Sequence, residues 1–97
     1  MKILHLTLKA KWFDMIASGR KHEEYREIKP YWYKRLADKE FTHVLFRNGY
    51  SKDARSVLIE CLEISVAYGI ESWGAEIGKK YYVIYLGDVV EIKGSKA

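Results

Sequence analysis

The first twenty residues change their hydrophobic period once, and the change separates two predicted elements. Residues 2–8 alternate, with three leucines on one side, which is typical of a strand with one buried face. From residue 9 to residue 18 the apolar side chains gather on one face of a helix, namely Trp12, Phe13, Ile16 and Ala17. Gly19 then supplies the residue that most easily adopts the left-handed conformation that ends a helix.

The remainder of the chain predicts one more helix and a series of strands. We expect strands over residues 22–27, 41–47, 57–66, 80–86 and 88–92, and a second helix from Pro30 to about Asp38. Asn48 and Gly49 form a tight-turn signal, residues 51–55 and the glycine-rich residues 68–78 predict loops, and Gly87 is expected to bend or bulge the chain. This order predicts an α+β fold, a small curled sheet or barrel of mainly antiparallel strands with flanking helices.

Length and composition favour one ordered, soluble domain. Ninety-seven residues fit a single domain over 1–97, with a polar tail at 93–97, and 48% hydrophobic residues exclude overall disorder. Cys61 is the only cysteine, so we expect no internal disulfide and a reducing compartment. The start lacks the pattern of a secretion signal, and no apolar run approaches the roughly 18 residues of a membrane span. We therefore expect a cytoplasmic protein with no membrane contact.

The net charge of +4 lies in one part of the chain. Residues 1–40 carry ten basic and six acidic side chains, whereas residues 41–97 carry seven of each. This bias favours anionic partners, although such a charge also serves solubility alone. His5, His22 and His43 are far apart and lack the carboxylate spacing of a metal site, so we expect neither a metal nor a cofactor.

A charged cluster follows the first helix. Glu24 and Arg26 are two residues apart, so in a strand both project from one face about 7 Å apart. Lys21 reaches the same pocket only if the turn after Gly19 redirects it. Glu24 would stay ionised between two cations and accept from an amino group, while the cations donate to carbonyl or phosphate oxygens. The alternative is an exposed polar strand whose ion pairs contribute little stability.

The second helix interleaves aromatic and cationic side chains. These residues are Lys29, Tyr31, Trp32, Tyr33, Lys34 and Arg35. Such interleaving suits base stacking and phosphate contact, but aromatic residues also dominate small cores. We expect Tyr33 and Leu36 to pack on the sheet, with Trp32 as a further candidate, and Tyr31 to stay freer. Tyr31 and Tyr33 both remain candidates for stacking on a base.

The charged cluster also carries a family resemblance. Gly19, Lys21, Glu24 and Arg26 match in full the signature Gly-x-Lys-x-x-Glu-x-Arg, and with it the chain resembles an ASCH domain of the PUA-like superfold. The pattern Leu-x-Leu-x-x-x-Trp-Phe-x-x-Ile-x-x-Gly, which ends at Gly19, is similar to that of small bacterial and phage members. The resemblance covers roughly residues 2–92.

The resemblance implies a barrel of six or so strands and a cleft beside the first helix that binds RNA or modified nucleosides. The signature side chains would line this cleft and Trp12 would form a wall. Phosphate contacts would come from Lys9, Lys11, Lys34 and Arg47. On this interpretation the cluster is functional rather than structural, so Glu24→Gln and Arg26→Ala should weaken binding with little change in melting temperature.

The resemblance leaves two further hypotheses open. Some ASCH relatives are amidohydrolases that deacetylate N4-acetylcytidine with the signature Lys and a Thr three residues later, and a ribonuclease has also been described. Here Glu24 stands at the Thr position, so in a hydrolase Lys21 would be the nucleophile or electrostatic catalyst and Glu24 the general base. The other hypothesis is a protein-interaction module of phage origin.

Overall fold

The computed structural model describes residues 1–94, so residues 95–97 of the predicted polar tail lie outside the described part of the chain. The elements in chain order are β1 (Ile3–Thr7), α1 (Ala10–Ala17), β2 (Glu23–Arg26), α2 (Pro30–Leu36), β3 (His43–Arg47), β4 (Ser56–Tyr68), a 3-10 turn (Glu71–Trp73) and β5 (Lys80–Lys93). The prediction of an α+β fold is confirmed. Lys93 belongs to the last strand rather than to a tail.

The five strands described in residues 1–94 form one curled, mixed sheet in the order β1-β3-β4-β5-β2. Three of the four pairings are antiparallel, which confirms a mainly antiparallel sheet. The pairing of β1 with β3 is parallel, because the chain crosses back through α1, β2 and α2 before β3 begins. The edge strands β1 and β2 are not neighbours in this order, so the sheet is a half-barrel of five strands rather than a closed barrel of six or so.

The last strand is continuous, which corrects the prediction of two separate strands around Gly87. The pairing of β4 with β5 shifts register three times between Leu58 and Glu63, opposite this glycine. A Cβ atom at Gly87 would lie only 2.8 Å from Glu60 Oε1, and the same carboxylate oxygen accepts a 2.9 Å hydrogen bond from Asp88 N. The predicted irregularity is therefore a bulge within β5, and it helps the sheet to curl.

The main core lies between the concave face of the sheet and the two helices. Its buried members are Leu4, Leu6, Leu8, Phe13, Ile16, Leu36, Val44, Phe46, Val57, Ile59, Cys61, Tyr82, Ile84 and Leu86. The leucine face of β1 and the apolar face of α1 are both as predicted. Gly19 has φ 80°, which confirms a left-handed end to the first helical segment.

Helix α2 packs on the sheet through Trp32 and Leu36 rather than through the predicted Tyr33 and Leu36. Leu36 is buried and Trp32 packs partly against the core, so the buried stripe follows this i, i+4 pair. Tyr33 lies on the flank of the stripe and is 57% exposed. The prediction that Tyr33 packs on the sheet is therefore wrong, because the helix directs the line from Trp32 to Leu36 toward the core and leaves Tyr33 beside it.

A smaller cluster covers the opposite face of the sheet near β2. Tyr25 packs there with Ala75, Tyr81 and Val83. The hydroxyl of Tyr25 donates to Glu23 Oε1 at 2.8 Å and accepts from Ile70 N at 2.9 Å. These contacts hold the segment that contains the 3-10 turn against β2.

No helix within residues 1–94 has the length and apolar character that a bilayer crossing requires.

Candidate functional site

Three motif residues form a chain of charges, which we call the triad: Lys21 and Glu24, which are buried, and Arg26, which is partly buried. Lys21 Nζ donates to Glu24 Oε1 at 2.8 Å, and Arg26 Nη2 donates to Glu24 Oε2 at 2.8 Å. Lys21 is 2% exposed and Glu24 is 6% exposed. Both oxygens of the carboxylate are engaged by cations, so the triad has one excess positive charge.

Local backbone geometry brings Lys21 into the triad. In a continuous strand it would lie on the opposite face from Glu24, because the two residues are three positions apart. The backbone amides of Arg20 and Lys21 both donate to Met15 O, at 2.9 and 3.0 Å, so the chain turns sharply after Gly19. In β2, Glu24 lies opposite Ile84 and Arg26 lies opposite Tyr82, two partners that belong to the main core. The turn therefore redirects the ammonium group toward the inward face of the strand.

A residue from the second half of the chain contacts Lys21, which lies at the buried end of the triad. Lys21 Nζ donates to the backbone oxygen of Trp73 at 2.8 Å. The same nitrogen lies 4.8 Å from the centre of the Trp12 ring and 5.1 Å from that of Tyr25. These aromatic faces stabilise the ammonium group and exclude water from it. Trp12 is thus a wall around Lys21.

The burial of Lys21 and Glu24 gives the triad a structural role. Buried charges need opposite partners because desolvation is expensive, and removing one partner leaves the other uncompensated. The alternative of an exposed polar strand with weak ion pairs is therefore wrong. The expectation that substitution of Glu24 leaves the melting temperature almost unchanged is also revised, since this carboxylate neutralises a buried ammonium.

The guanidinium of Arg26 reaches from the triad to a hollow of about 270 Å³, which we call the arginine pocket. Its lining is His5, Leu6, Thr7, Arg26, Tyr31, Trp32, Arg35, Arg47 and Tyr50. Three strands and a helix contribute, because β1 lies beside β3 and the side chains of β2 and α2 face the same hollow. The lining contains three arginines and no carboxylate among residues 1–94.

Carbonyl oxygens and aromatic rings hold the three guanidinium groups of the pocket. Arg26 donates to Thr7 O at 3.1 Å, Arg35 Nη2 donates to His5 O at 3.0 Å, and Arg47 Nη2 donates to Ser51 O at 2.7 Å. The guanidinium carbons of Arg26 and Arg35 lie 5.0 and 5.2 Å from the centre of the Trp32 ring. These contacts fix the cations; Arg26 shares the Glu24 carboxylate with Lys21, whereas Arg35 and Arg47 have no ion-pair partner within residues 1–94.

Two tyrosines stand exposed at the arginine pocket. Tyr31 is 60% exposed and contacts Trp32 edge to face, with ring centres 4.8 Å apart. Tyr50 is 89% exposed, and its hydroxyl accepts a 3.2 Å hydrogen bond from Thr7 Oγ1. Exposed aromatic faces beside a cationic hollow are suitable platforms for a planar ring.

The structure divides the residues proposed from sequence into three groups. Arg26, Tyr31 and Arg47 line the arginine pocket. Lys21, Glu24 and Trp12 are in contact with one another or with Arg26 but do not line it. The remaining proposed residues, Lys9, Lys11, Tyr33 and Lys34, are exposed and do not line it. The sequence therefore identified three residues that line the pocket and three residues that contact Arg26 or one another behind it.

The pocket also contains residues that were not chosen as site residues from the sequence. Arg35 belongs to the aromatic and cationic series of the second helix, but Lys34 was chosen from that series instead. Helical spacing could have identified Arg35, because it follows Trp32 by three positions and Tyr31 by four. No local pattern pointed to Tyr50, which arrives through the connection between β3 and β4, or to the Trp73 carbonyl, which lies 52 residues beyond Lys21.

Three larger hollows lie elsewhere in the described part of the chain, and two of them, of about 570 and 620 Å³, lie between residues 36–42 and the middle of β4. Both linings combine the cations Lys2 and Lys39 with carboxylates such as Glu40, and this mixed charge gives no preference for an anion. The third, of about 410 Å³ beside β1, has in its described lining the cations Lys2, Arg35 and Lys39 and no carboxylate, but Phe41 is its one aromatic ring besides His5, whereas the arginine pocket has three. No group of three or more His, Cys, Asp or Glu within residues 1–94 is arranged to hold a metal ion.

No protein-family model, curated protein or solved structure matches this chain. The functional argument therefore depends on the residues and geometry described above.

Proposed function

We propose that this protein binds RNA or a modified nucleoside or nucleotide in the arginine pocket. One observation carries the proposal: three guanidinium groups and three aromatic rings share one small hollow whose described lining has no carboxylate. Arginine donates in a planar fork that matches phosphate oxygens, and aromatic faces stack on bases. This combination is typical of sites for phosphate-bearing, planar ligands.

The triad has a supporting role in this proposal. Lys21 and Glu24 hold Arg26 in place and are together neutral, so the one net positive charge of the triad stays at Arg26, which alone touches the ligand. Our sequence-based hypothesis had all three head groups surround the ligand. Burial favours the revised arrangement, because both carboxylate oxygens of Glu24 already accept from protein cations.

The proposal includes membership of the ASCH family within the PUA-like superfold. The full motif from Gly19 to Arg26 supports this assignment. The α+β fold with its curled sheet is compatible with it. The hydrolase and protein-interaction hypotheses stay predictions. Catalysis by Lys21 would require its ammonium to leave both Glu24 and the Trp73 carbonyl, so we place binding ahead of it.

A binding titration tests the function directly. A fluorescently labelled single-stranded RNA is titrated with the wild-type protein and with Arg35→Ala and Arg47→Ala, and anisotropy is recorded. We expect saturable binding that each substitution weakens by about ten-fold or more, because hydrogen bonds to charged groups contribute about 1.5–3 kcal/mol. Arg20→Ala is the matched control, since Arg20 is exposed and lies outside the pocket.

Salt dependence adds a second measurement. Each phosphate contact that is lost should reduce the slope of log affinity against log salt concentration by about 0.7 for a single strand. The proposal fails if the wild-type protein shows no saturable binding, or if both pocket variants bind as tightly as Arg20→Ala.

A further inference from the structure

We infer that the arginine pocket takes a terminal phosphate monoester, the phosphorylated end of an RNA strand or of a mononucleotide, with the adjacent base on the exposed tyrosines. This inference rests on the proposed function and specifies which part of the ligand enters the pocket. Three observations support it: the charge of the lining, the remaining donors of the arginines, and the size of the hollow.

The charge of the pocket fits a dianion better than a monoanion. The Glu24 carboxylate, which pairs with Arg26, is shared between Lys21 and Arg26. Arg35 and Arg47 add two further cations, whose protein acceptors are neutral oxygens. A phosphate monoester carries about −1.5 to −2 at neutral pH, whereas an internal phosphodiester carries a single charge. The monoester therefore relieves more of the repulsion among the three guanidinium groups.

The arginines retain donors for such a group. Each guanidinium has more N–H groups than its contacts to protein oxygens use. Arg26 Nε is the one buried side-chain nitrogen or oxygen within residues 1–94 that has no hydrogen-bond partner. Such buried orphan donors are rare in folded proteins, and this one belongs to an arginine that lines the pocket. A monoester offers three terminal oxygens, one more than a diester.

The size of the hollow limits what can enter. At about 270 Å³ it lies just below the roughly 300–1,000 Å³ of common ligand pockets, so it holds part of a nucleotide rather than a stretch of strand. A phosphate on the three arginines leaves its base at the mouth. Tyr31 and Tyr50 are both exposed there and present aromatic faces. Stacking on such faces contributes about 1–3 kcal/mol per base and tolerates any base.

The experiment compares one short RNA sequence prepared with four kinds of ends: a 5′-phosphate, a 3′-phosphate, both phosphates, or hydroxyls only. Each is titrated into the wild-type protein, Arg35→Ala, Arg47→Ala and the control Arg20→Ala, and folding of each variant is checked by thermal melting. We expect a phosphorylated end to increase affinity by about ten-fold or more over the hydroxyl-ended strand. The 5′ and 3′ arms show which end supplies the phosphate.

The variants assign the effect to the pocket. The advantage of the phosphorylated end should vanish in Arg35→Ala and Arg47→Ala and persist in Arg20→Ala. Inorganic phosphate and a nucleoside monophosphate should displace the phosphorylated RNA, the nucleotide at lower concentration because its base also stacks. If one pocket variant fails to fold, the other gives the same comparison.

The outcomes separate the two proposals. Equal affinity for all four RNAs, with loss in the pocket variants, would overturn the terminal-phosphate inference and leave nucleic-acid binding intact. Absence of saturable binding to any of the RNAs or to the mononucleotide would overturn both.

Discussion

Arg26 belongs to both the triad and the arginine pocket, and these two regions differ in whether their cations have a carboxylate partner. On one side, in the triad, the Lys21 ammonium and the Arg26 guanidinium share the Glu24 carboxylate away from solvent. On the other side, in the arginine pocket, Arg35 and Arg47 meet only neutral oxygens and aromatic rings. The comparison indicates that one charged motif can be structural at one end and available to a ligand at the other.

Energetics explain why the two regions should respond differently to substitution. Removing one partner of a buried ion pair leaves an uncompensated charge, which costs about 3–5 kcal/mol. Partly exposed cations held by carbonyls contribute about 1 kcal/mol or less. Substitutions in the triad should therefore act mainly on folding, and those in the pocket mainly on binding.

The largest expected effect is that of Glu24→Gln. The substitution keeps the shape of the side chain but leaves the buried Lys21 ammonium without a counter-charge, so the free energy of unfolding should fall by about 3–5 kcal/mol. Urea unfolding measures it. Glu63→Gln, on an exposed position of β4, is the matched control and should change stability by no more than about 0.5 kcal/mol. Equal behaviour of the two variants would contradict a structural triad.

A smaller loss is expected for Lys21→Met. This change retains most of the buried stem and leaves Glu24 paired with Arg26, but the Trp73 carbonyl loses its donor. Glu24 Oε1 loses the same donor, but its charge stays neutralised by Arg26, so we expect a loss of about 1–3 kcal/mol. Combined with Glu24→Gln it should destabilise less than the sum of the two single changes, since the cation that Glu24 neutralises is gone. Strict additivity in urea unfolding would argue against direct coupling.

Arg35→Ala should have a weaker effect on stability. The variant loses contacts with the rings of Tyr31 and Trp32, which contribute about 0.5–1 kcal/mol each at exposed sites, but it also relieves repulsion between cations. We expect the free energy of unfolding to fall by about 1 kcal/mol or less while RNA affinity decreases about ten-fold. Thermal melting and anisotropy on the same preparation measure both. A stability loss as large as that of Glu24→Gln would contradict the claim that pocket substitutions act mainly on binding.

The smallest expected effect concerns Tyr25, which covers the buried end of the triad. Burial raises the pKa of the Tyr25 hydroxyl, with a further increase from the hydrogen bond to Glu23. Below the ordinary value of about 10 both folded and unfolded chains keep this proton, so its contribution is fully present. Above it the unfolded chain loses the proton first, and stability should decline as the pH rises further.

Urea unfolding at pH values of about 9 and about 11 measures this decline. Tyr25→Phe should be less stable at the lower pH, because two hydrogen bonds are lost, and should show a shallower decline. An identical decline in the variant would assign the pH dependence to other groups.

Local patterns predicted the elements, whereas long-range pairing determined the site. The alternation in β1, the apolar face of α1 and the turn at Gly19 depend on neighbours in sequence, and all three were predicted. The parallel pairing of β1 with β3 and the continuity of β5 depend on distant partners, and neither was. Tyr33 was misplaced because the helix directs Trp32 and Leu36 toward the core and leaves Tyr33 beside them.

The same distinction applies to the candidate site. Spacing alone grouped Lys21, Glu24 and Arg26, but it gave no sign that the group is buried, since the covering Trp73 carbonyl arrives from the other half of the chain. The convergence of Arg35 and Arg47 with Arg26 also depends on the sheet order, which brings β1 and β3 together beside α2.

The position of β2 at the edge of the sheet has a consequence for how the protein is made. The only strand paired with β2 in the described residues is β5, which begins at Lys80, and the donor that Trp73 O accepts is Lys21. During translation the motif strand therefore stays without its strand partner until residues 80–93 have left the ribosome. A nascent chain halted before β5 has all four motif residues but no scaffold to order them.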